Sequence, residues 1–178
     1  MKILVTIISF VLILCFIIGC QNKEVRAELE AMKTQAKVEA QNLELVNKVI
    51  AEYNKRNLEF LVSVNPPDYD FYSPSGISNP ISLEKSIEEV KMLWEAFPDI
   101  TLSLEESIAA GDKVISRLIF RGTHQGEFQG IPATGKKIEF SGINIMCIKN
   151  NKIVEEWSNI DRLGLMTQLG MELKPIEK

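Results

Sequence analysis

The sequence predicts an α+β domain in which about three helices cover one face of a curved antiparallel β-sheet, preceded by a long N-terminal helix. Two observations support this fold class. In the first half of the chain, hydrophobic residues recur every three or four positions, as in amphipathic helices. From Ile100 onward they recur at every second position, as in half-buried strands. With 178 residues, 46% of them hydrophobic and 25% charged, the chain has the size and composition of one globular domain.

The N-terminus has the pattern of a bacterial export signal. Lys2 is followed by the uncharged, apolar run Ile3 to Gly19, which is short for a membrane-spanning helix. The end of this run, Ile17-Ile18-Gly19-Cys20, resembles the lipobox of bacterial lipoproteins. We therefore expect residues 1–19 to be a signal peptide and Cys20 to carry palmitate or related acyl chains. The protein would then be held on the extracytoplasmic side of the inner or the outer membrane, and an uncleaved membrane anchor is the alternative.

Composition argues against several classes of function. Lys and Arg number 20 against 24 Asp and Glu, so the basic surplus of a nucleic-acid-binding protein is missing. One histidine and three cysteines argue against most zinc sites, and no phosphate-binding or dinucleotide-binding motif occurs. We expect no metal, no cofactor and no nucleic-acid partner.

Residues 21–57 predict the long helix, because they lack glycine and proline and carry one narrow apolar stripe interrupted at Glu39. We expect residues 20–40 to form a stalk, with the second half of the helix packing on the domain as its first helix. A coiled-coil dimer is the alternative. The stripe consists of Val25, Leu29, Met32, Ala36, Leu43, Val46, Ile50 and Tyr53.

The domain itself is expected to span residues 41–172, with a polar tail at 173–178. Prolines end a short helix at Asn65, Ser82 is expected to cap the next helix, and Gly111-Asp112 and Asn150-Asn151 are expected to form hairpin turns. The predicted helices are 58–64, 83–97 and 163–169, and the predicted strands are 69–72, 100–104, 114–124, 137–148 and 153–160.

Several ordered segments carry a family resemblance. They are Phe97-Pro98-Asp99, Gly111 to Val114, Gly122-Thr123-His124 with Gly126-Glu127-Phe128, Gly130-Ile131-Pro132 with Thr134-Gly135, Lys152 to Trp157 with Asp161, and Gln168-Leu169-Gly170. Together they resemble the SnoaL-like polyketide cyclases and the related ester cyclases, which have the cone-shaped fold of nuclear transport factor 2.

The resemblance implies a conical pocket between the sheet and the helices. In the cyclases, an acid at the end of the last strand moves protons during an intramolecular aldol ring closure, and Asp161 occupies the matching position. The family's His-Ser-Pro at the first short strand is replaced by Tyr72-Ser73-Pro74, which weakens the case for identical chemistry. Relatives often dimerise through the open face of the sheet, so a homodimer is expected.

Two residues are candidates for catalysis. Asp161 shares strand parity with Trp157, so both are expected to face the pocket, where poor solvation would raise the pKa of the carboxyl group. The alternative is that Asp161 caps the last helix. His124 is the only imidazole and is a candidate proton carrier at the pocket rim, with a structural role as its alternative.

Four further residues are candidates for ligand binding. Tyr72 is a candidate hydrogen-bond donor, Trp157 and Trp94 are candidates for pocket wall or core, and Cys147 is expected to be a small buried side chain beside the pocket. The adjacent pair Glu155-Glu156 is expected to point to opposite faces of its strand, so the two do not form a glycosidase pair.

Two functions follow. The first is a membrane-anchored lipoprotein that binds a small apolar molecule and cyclises or isomerises it through Asp161, with His124 and Tyr72 as donors. The second is a ligand-binding or interaction lipoprotein of the cell envelope without catalysis, since one fold supports many functions.

Overall fold

The computed structural model describes residues 2–73, 79–172 and 174, with side chains described from residue 23 onward. The side chain of Cys20, where lipidation is predicted, therefore lies outside the described part of the chain, as do Pro74 of the Tyr72-Ser73-Pro74 segment and residues 173 and 175–178 of the predicted tail. By contacts, the chain divides into residues 1–38 and residues 39–178, and the fold below is that of the second unit. Across the residues with described side chains, no helix is both long enough and apolar enough to cross a bilayer.

The described chain contains four helices and five strands, and the α+β prediction is confirmed. The helices are α1 (Lys2–Asn54), α2 (Leu58–Val64), α3 (Leu83–Ala96) and α4 (Arg162–Leu169). The strands are β1 (Asp70–Tyr72), β2 (Thr101–Ala110), β3 (Lys113–Thr123), β4 (Lys137–Lys149) and β5 (Lys152–Ile160).

The five strands form one sheet in the order β1-β5-β4-β3-β2. Tight turns join β2 to β3 and β4 to β5, and these strands pair antiparallel as predicted. The short edge strand β1 instead pairs parallel to β5, which corrects the prediction of an entirely antiparallel sheet. The rest of the domain separates β1 from β5 in sequence, so no hairpin fixes their relative direction.

Local capping explains where the helices begin. Asn57 accepts a hydrogen bond from the Phe60 amide at the start of α2. Ser82 does the same for the Lys85 amide at the start of α3, as the sequence predicted.

The strand β2 is longer than expected. A bulge between Leu104 and Glu106 interrupts the alternation of hydrophobic and polar residues from which its second half would have been predicted.

The part of α1 within this unit packs on the sheet. Val46, Ile50 and Tyr53 are buried, each contributing about 1.5–3 kcal/mol of hydrophobic stabilisation. Asn54 fixes the end of the helix to the edge strand, because its side chain donates to the Leu102 carbonyl and accepts from the Leu102 amide, both at 2.8 Å. These contacts hold α1 as one wall over the inner face of the sheet.

Candidate functional site

A cavity of about 300 Å³ lies between the inner face of the sheet and the helices of the second unit. Its wall is mostly apolar, as in most small-molecule sites. Every strand and every helix of the unit contributes to it. Representative wall residues are Ile50, Leu61, Val90, Leu118, Phe120, Phe140, Met146, Ile160 and Leu165.

A bulge in β5 decides which of its side chains face this cavity. Cys147 pairs with Glu155 and the next residue of β4 pairs with Ile153, so Val154 is an extra residue on β5. Such a bulge reverses the alternation of side chains along a strand. Ile153 therefore faces inward before the bulge, and Glu156 faces inward after it. The residues at even positions beyond Glu156 continue this inner face.

Glu156 is the centre of a polar cluster in the apolar wall. Tyr69 donates its hydroxyl proton to Glu156 Oε2 at 2.9 Å, and Asn144 Nδ2 donates to Glu156 Oε1 at 2.6 Å. Ser158 Oγ in turn donates to Asn144 Oδ1 at 3.1 Å. Three of these side chains come from adjacent strands and the fourth precedes β1, so the sheet holds the cluster rigidly in place.

Burial shifts the acidity of this cluster. Loss of solvation raises the pKa of Glu156 from 4.5 to about 7, although the hydrogen bonds from Tyr69 and Asn144 act in the opposite direction. Burial, with the neighbouring Glu156 carboxyl, raises the pKa of Tyr69 well above its usual value of 10. Tyr69 therefore remains a hydrogen-bond donor, while Glu156 gains and loses its proton near neutral pH.

A carboxyl group with these properties is suited to general acid–base chemistry, which works best when the pKa lies near the working pH. Each carboxylate oxygen accepts more than one hydrogen bond, so the bonds from Tyr69 and Asn144 leave capacity for a bound molecule. Within the described part of the chain, no three His, Cys, Asp or Glu side chains cluster closely enough to hold a metal ion.

The structure places Asp161 outside the cavity. Its side chain is exposed, its Oδ1 accepts a hydrogen bond of 2.7 Å from the Gly164 amide, and it caps α4. The expectation that Asp161 faces the pocket is corrected, because Trp157 and Asp161 share the outer side of β5 beyond the bulge. The capping alternative is the one that the structure shows.

His124 is fully buried, at 0% exposure, and does not line the cavity. Its ring packs against Phe97, and its Nδ1 accepts a hydrogen bond from the Thr134 amide. Burial lowers the pKa of His124, so the imidazole stays neutral. The residue fastens the β3–β4 loop, and the expected position at the pocket rim is corrected.

Tyr72 and Trp157 lie on the outer face of the sheet. Their rings stack with centroids 3.9 Å apart and planes 4° apart, across the β1–β5 register. Trp157 also donates its indole proton to Glu155, whose carboxylate is the acceptor for the Cys147 thiol. Cys147 is buried as expected, but it lies on the opposite side of the sheet from the cavity.

Trp94 lies behind the cavity wall rather than on it. Its ring packs at 5.3 Å from Tyr53, which does line the cavity, and the Arg56 guanidinium covers it at 5.0 Å. None of the sequence-predicted catalytic or ligand-binding residues with described side chains therefore lies on the cavity wall. The predicted lipidation site, the Cys20 side chain, is not among the described side chains.

Comparison with known proteins identifies the domain. The family model of the SnoaL-like polyketide cyclases matches residues 43–169. The chain belongs to this family. No curated protein is significantly similar to it in sequence.

Solved structures of SnoaL-like proteins share the fold. The proposed hydroxylase AclR of Streptomyces galilaeus is 28% identical, with a TM-score of 0.69, and the match covers 74% of this chain and 97% of that one. The proposed polyketide cyclase IdmH of Streptomyces antibioticus is also 28% identical, with a TM-score of 0.67 and coverage of 74% and 99%. A proposed polyketide cyclase of Bacillus cereus is 26% identical, with a TM-score of 0.60 and coverage of 75% and 83%.

The matches to AclR and IdmH cover 97% and 99% of those chains and 74% of this one, so in those proteins the SnoaL-like domain forms the fold without a further segment. We refer to residues 39–178 as the isolated domain. Membership of this family supports a function of the cyclase or isomerase type, or of the ligand-binding type, for this domain.

Proposed function

We propose that the cavity binds a small, largely apolar molecule and that Glu156 transfers a proton to and from it. The observation that supports this is a carboxyl group with a pKa of about 7 in the wall of an apolar cavity. Carbon-acid chemistry requires a base of this kind next to a poorly solvated substrate. This proposal moves the acid–base role from Asp161 to Glu156.

The reaction class is enolisation followed by isomerisation or ring closure. The Glu156 carboxylate removes a proton from the carbon next to a carbonyl group, and the electron pair of that C–H bond forms the enolate. For isomerisation, Glu156 returns the proton to another carbon. For an aldol ring closure, the enolate carbon forms a bond to a second carbonyl carbon of the same molecule, and the resulting alkoxide takes the proton from Glu156.

Deuterium exchange tests the first step without knowledge of the natural substrate. We expect the isolated domain to exchange the protons next to the carbonyl of tetralone in D₂O, measured by NMR. The rate should rise with pH through about 7, because the ionised carboxylate is the base. Glu156→Gln should abolish the exchange, and Glu155→Gln, on the opposite face of the same strand, should preserve it.

The outcome separates the two functions. Exchange that survives Glu156→Gln contradicts the catalytic role. Tetralone binding without exchange, in both the wild-type domain and the variant, favours the second function, a ligand-binding lipoprotein of the cell envelope. The specific observation in favour of that second function is that Tyr69 and Asn144 already engage both oxygens of Glu156.

The cellular location belongs to the same proposal. Cleavage before Cys20 and acylation of its thiol would place the SnoaL-like domain on the extracytoplasmic side of a membrane, because several acyl chains give stable anchoring. The support is the lipobox-like Ile17-Ile18-Gly19-Cys20 after an uncharged run. Labelling with radioactive palmitate in a bacterial host should mark the wild-type chain and not Cys20→Ala. Equal labelling of both contradicts the proposal.

We propose that the partner is a second copy of this chain, bound through the outer face of the sheet. The register aligns an apolar row across all five strands, and Ile108, Ile115 and Trp157 in that row are 58%, 41% and 37% exposed. A two-fold axis along β4 would place Ile115 opposite Trp157 of the partner subunit. The same axis would place Lys113 opposite Glu155 of the partner subunit, so the charges are complementary.

Charge exchange tests this arrangement. We expect the isolated domain to sediment as a dimer in analytical ultracentrifugation, Lys113→Glu to sediment as a monomer, and the double variant Lys113→Glu with Glu155→Lys to recover the dimer. A monomeric wild-type domain, or a double variant no better than the single one, contradicts the proposal.

A further inference from the structure

Arg162 is a cation in the cavity wall with no counterion among the described residues. It is half-buried at the start of α4 and lines the cavity. Its guanidinium group makes no hydrogen bond or ion pair with any residue that the structure describes. The carboxylates that share the cavity wall, Glu89 and Glu156, form no ion pair with it, and the adjacent Asp161 turns its carboxylate to the Gly164 amide.

The position of Arg162 relative to Glu156 defines two polar ends of the cavity. Glu156, Ser158 and Ile160 follow one another along the inner face of β5, and Arg162 continues the series in the first turn of α4. From Glu156 to Ile160 the strand advances by about 13 Å, at about 3.3 Å per residue. Between the two ends the sheet presents Ser158 with Asn144 next to Glu156, and then Ile160 with Leu118 toward Arg162.

The guanidinium of a half-buried arginine beside apolar surface gains most from an anion of matching shape. Carboxylates fit that shape, because two parallel N–H···O bonds form between the planar groups. We infer that the ligand of this cavity is an apolar carboxylate, with its acid group on Arg162 and its apolar body along the inner face of the sheet. This inference rests on the proposed function and names the class of its substrate.

A pair of probes that differ only in the head group tests the inference. Octanoate and octanol are titrated separately into the isolated domain at pH 6 in a calorimeter. At this pH octanoate is ionised and Glu156 is mostly protonated, so repulsion between the two carboxylates is reduced. We expect octanoate to bind about tenfold more tightly than octanol, the contribution of one charge-assisted contact.

Arg162→Gln should remove this preference and leave the affinity for octanol within about twofold, since the apolar contacts remain. The matched control is Arg117→Gln on the outer face of the sheet, which should keep the preference. Circular dichroism at the titration temperature verifies that each variant is folded.

The possible results are distinguishable. Equal binding of octanoate and octanol by the wild-type domain, or a preference that persists in Arg162→Gln, overturns the inference and leaves the proposed function standing. Failure of both probes to bind overturns the inference together with the apolar-ligand part of the proposed function. A preference for octanoate that is lost in Arg162→Gln and kept in Arg117→Gln supports both the inference and the proposed function.

Discussion

At the scale of single residues, solvation rather than residue type decides which carboxyl group is suited to chemistry. Asp161 and Glu156 lie five positions apart in sequence. Asp161 is exposed and accepts a hydrogen bond from a backbone amide, whereas Glu156 is half-buried in the wall of the apolar cavity, where loss of solvation raises its pKa to about 7. Because folding changes the pKa of Glu156, the free energy of unfolding depends on pH, and this dependence measures how strongly the carboxyl group is desolvated.

Glu156→Gln should therefore change the pH dependence of stability. Folding raises the pKa of Glu156 from 4.5 to about 7, so the folded state favours the protonated form. The wild-type domain is then unaffected below pH 4.5, loses stability as the pH rises toward 7, and keeps that loss above it. The full loss is about 3 kcal/mol, at about 1.4 kcal/mol per pKa unit.

Urea unfolding at pH 5 and pH 8 measures this effect. Part of the loss is already present at pH 5, so the variant should gain about 2.5 kcal/mol of stability relative to the wild type between the two pH values. Glu155→Gln, on the outer face, should show no comparable gain. An identical pH dependence for Glu156→Gln and the wild type would show that the carboxyl is not desolvated.

Asp161 should matter for stability through its cap. Asp161→Ala leaves the Gly164 amide without its acceptor and should lower the free energy of unfolding by about 1 kcal/mol. Asp161→Asn keeps a side-chain oxygen and should lose much less. Deuterium exchange of tetralone should be unchanged in both folded variants, and a selective loss of exchange would return the catalytic role to Asp161.

At the scale of elements, single-residue irregularities position the site. The extra residue Val154 in β5 turns Glu156 inward and Trp157 outward. The β3–β4 loop is fixed in a similar local way, because the amides of Gln125 and Gly126 both donate to the Ala96 carbonyl at the end of α3. This contact is close enough that only glycine fits at position 126.

Gly126→Ala should destabilise the domain by about 1–3 kcal/mol, the usual cost of overpacking. An added Cβ would meet the backbone carbonyl of Glu95 and approach the Ala96 Cα at 3.0 Å, and neither group can move away freely. Thermal unfolding measures the loss, with Glu127→Ala at the exposed neighbouring position as the control. Equal melting temperatures for the two variants would contradict this tight docking.

At the scale of the whole domain, the cavity is a space that the core leaves unfilled. Two buried clusters of apolar residues surround it, yet about 300 Å³ remains between helices and sheet. Close packing is the rule in protein interiors, and unfilled apolar volume lowers stability. A retained cavity of this size is therefore consistent with selection for binding.

Filling the cavity should separate binding from stability. Val90 on α3 is half-buried in the wall, so Val90→Trp should project into the cavity and weaken octanol binding by at least about tenfold, while the melting temperature stays equal or rises. Lys91→Trp, exposed on the same helix, is the matched control and should bind as the wild type does. Unchanged octanol affinity in Val90→Trp would place the ligand elsewhere.

The sequence by itself determined the elements and the fold class. Hydrophobic period, proline positions and cap residues are local signals, so α2 was predicted at its observed bounds and the start of α3 after Ser82. The ordered family segments indicated the SnoaL-like fold, and the match of the family model to residues 43–169 supports that prediction.

Only the tertiary structure decided which face of β5 is the inner one. Strict alternation would place Ile153, Glu155 and Trp157 on one face, and the bulge at Val154 breaks that rule without a local signal strong enough to predict it. The pKa of Glu156 likewise depends on side chains from several elements that enclose it. Contacts between residues distant in sequence set both the direction and the solvation of this carboxyl group. For this reason the sequence indicated Asp161 as the candidate acid–base residue, and the fold indicated Glu156.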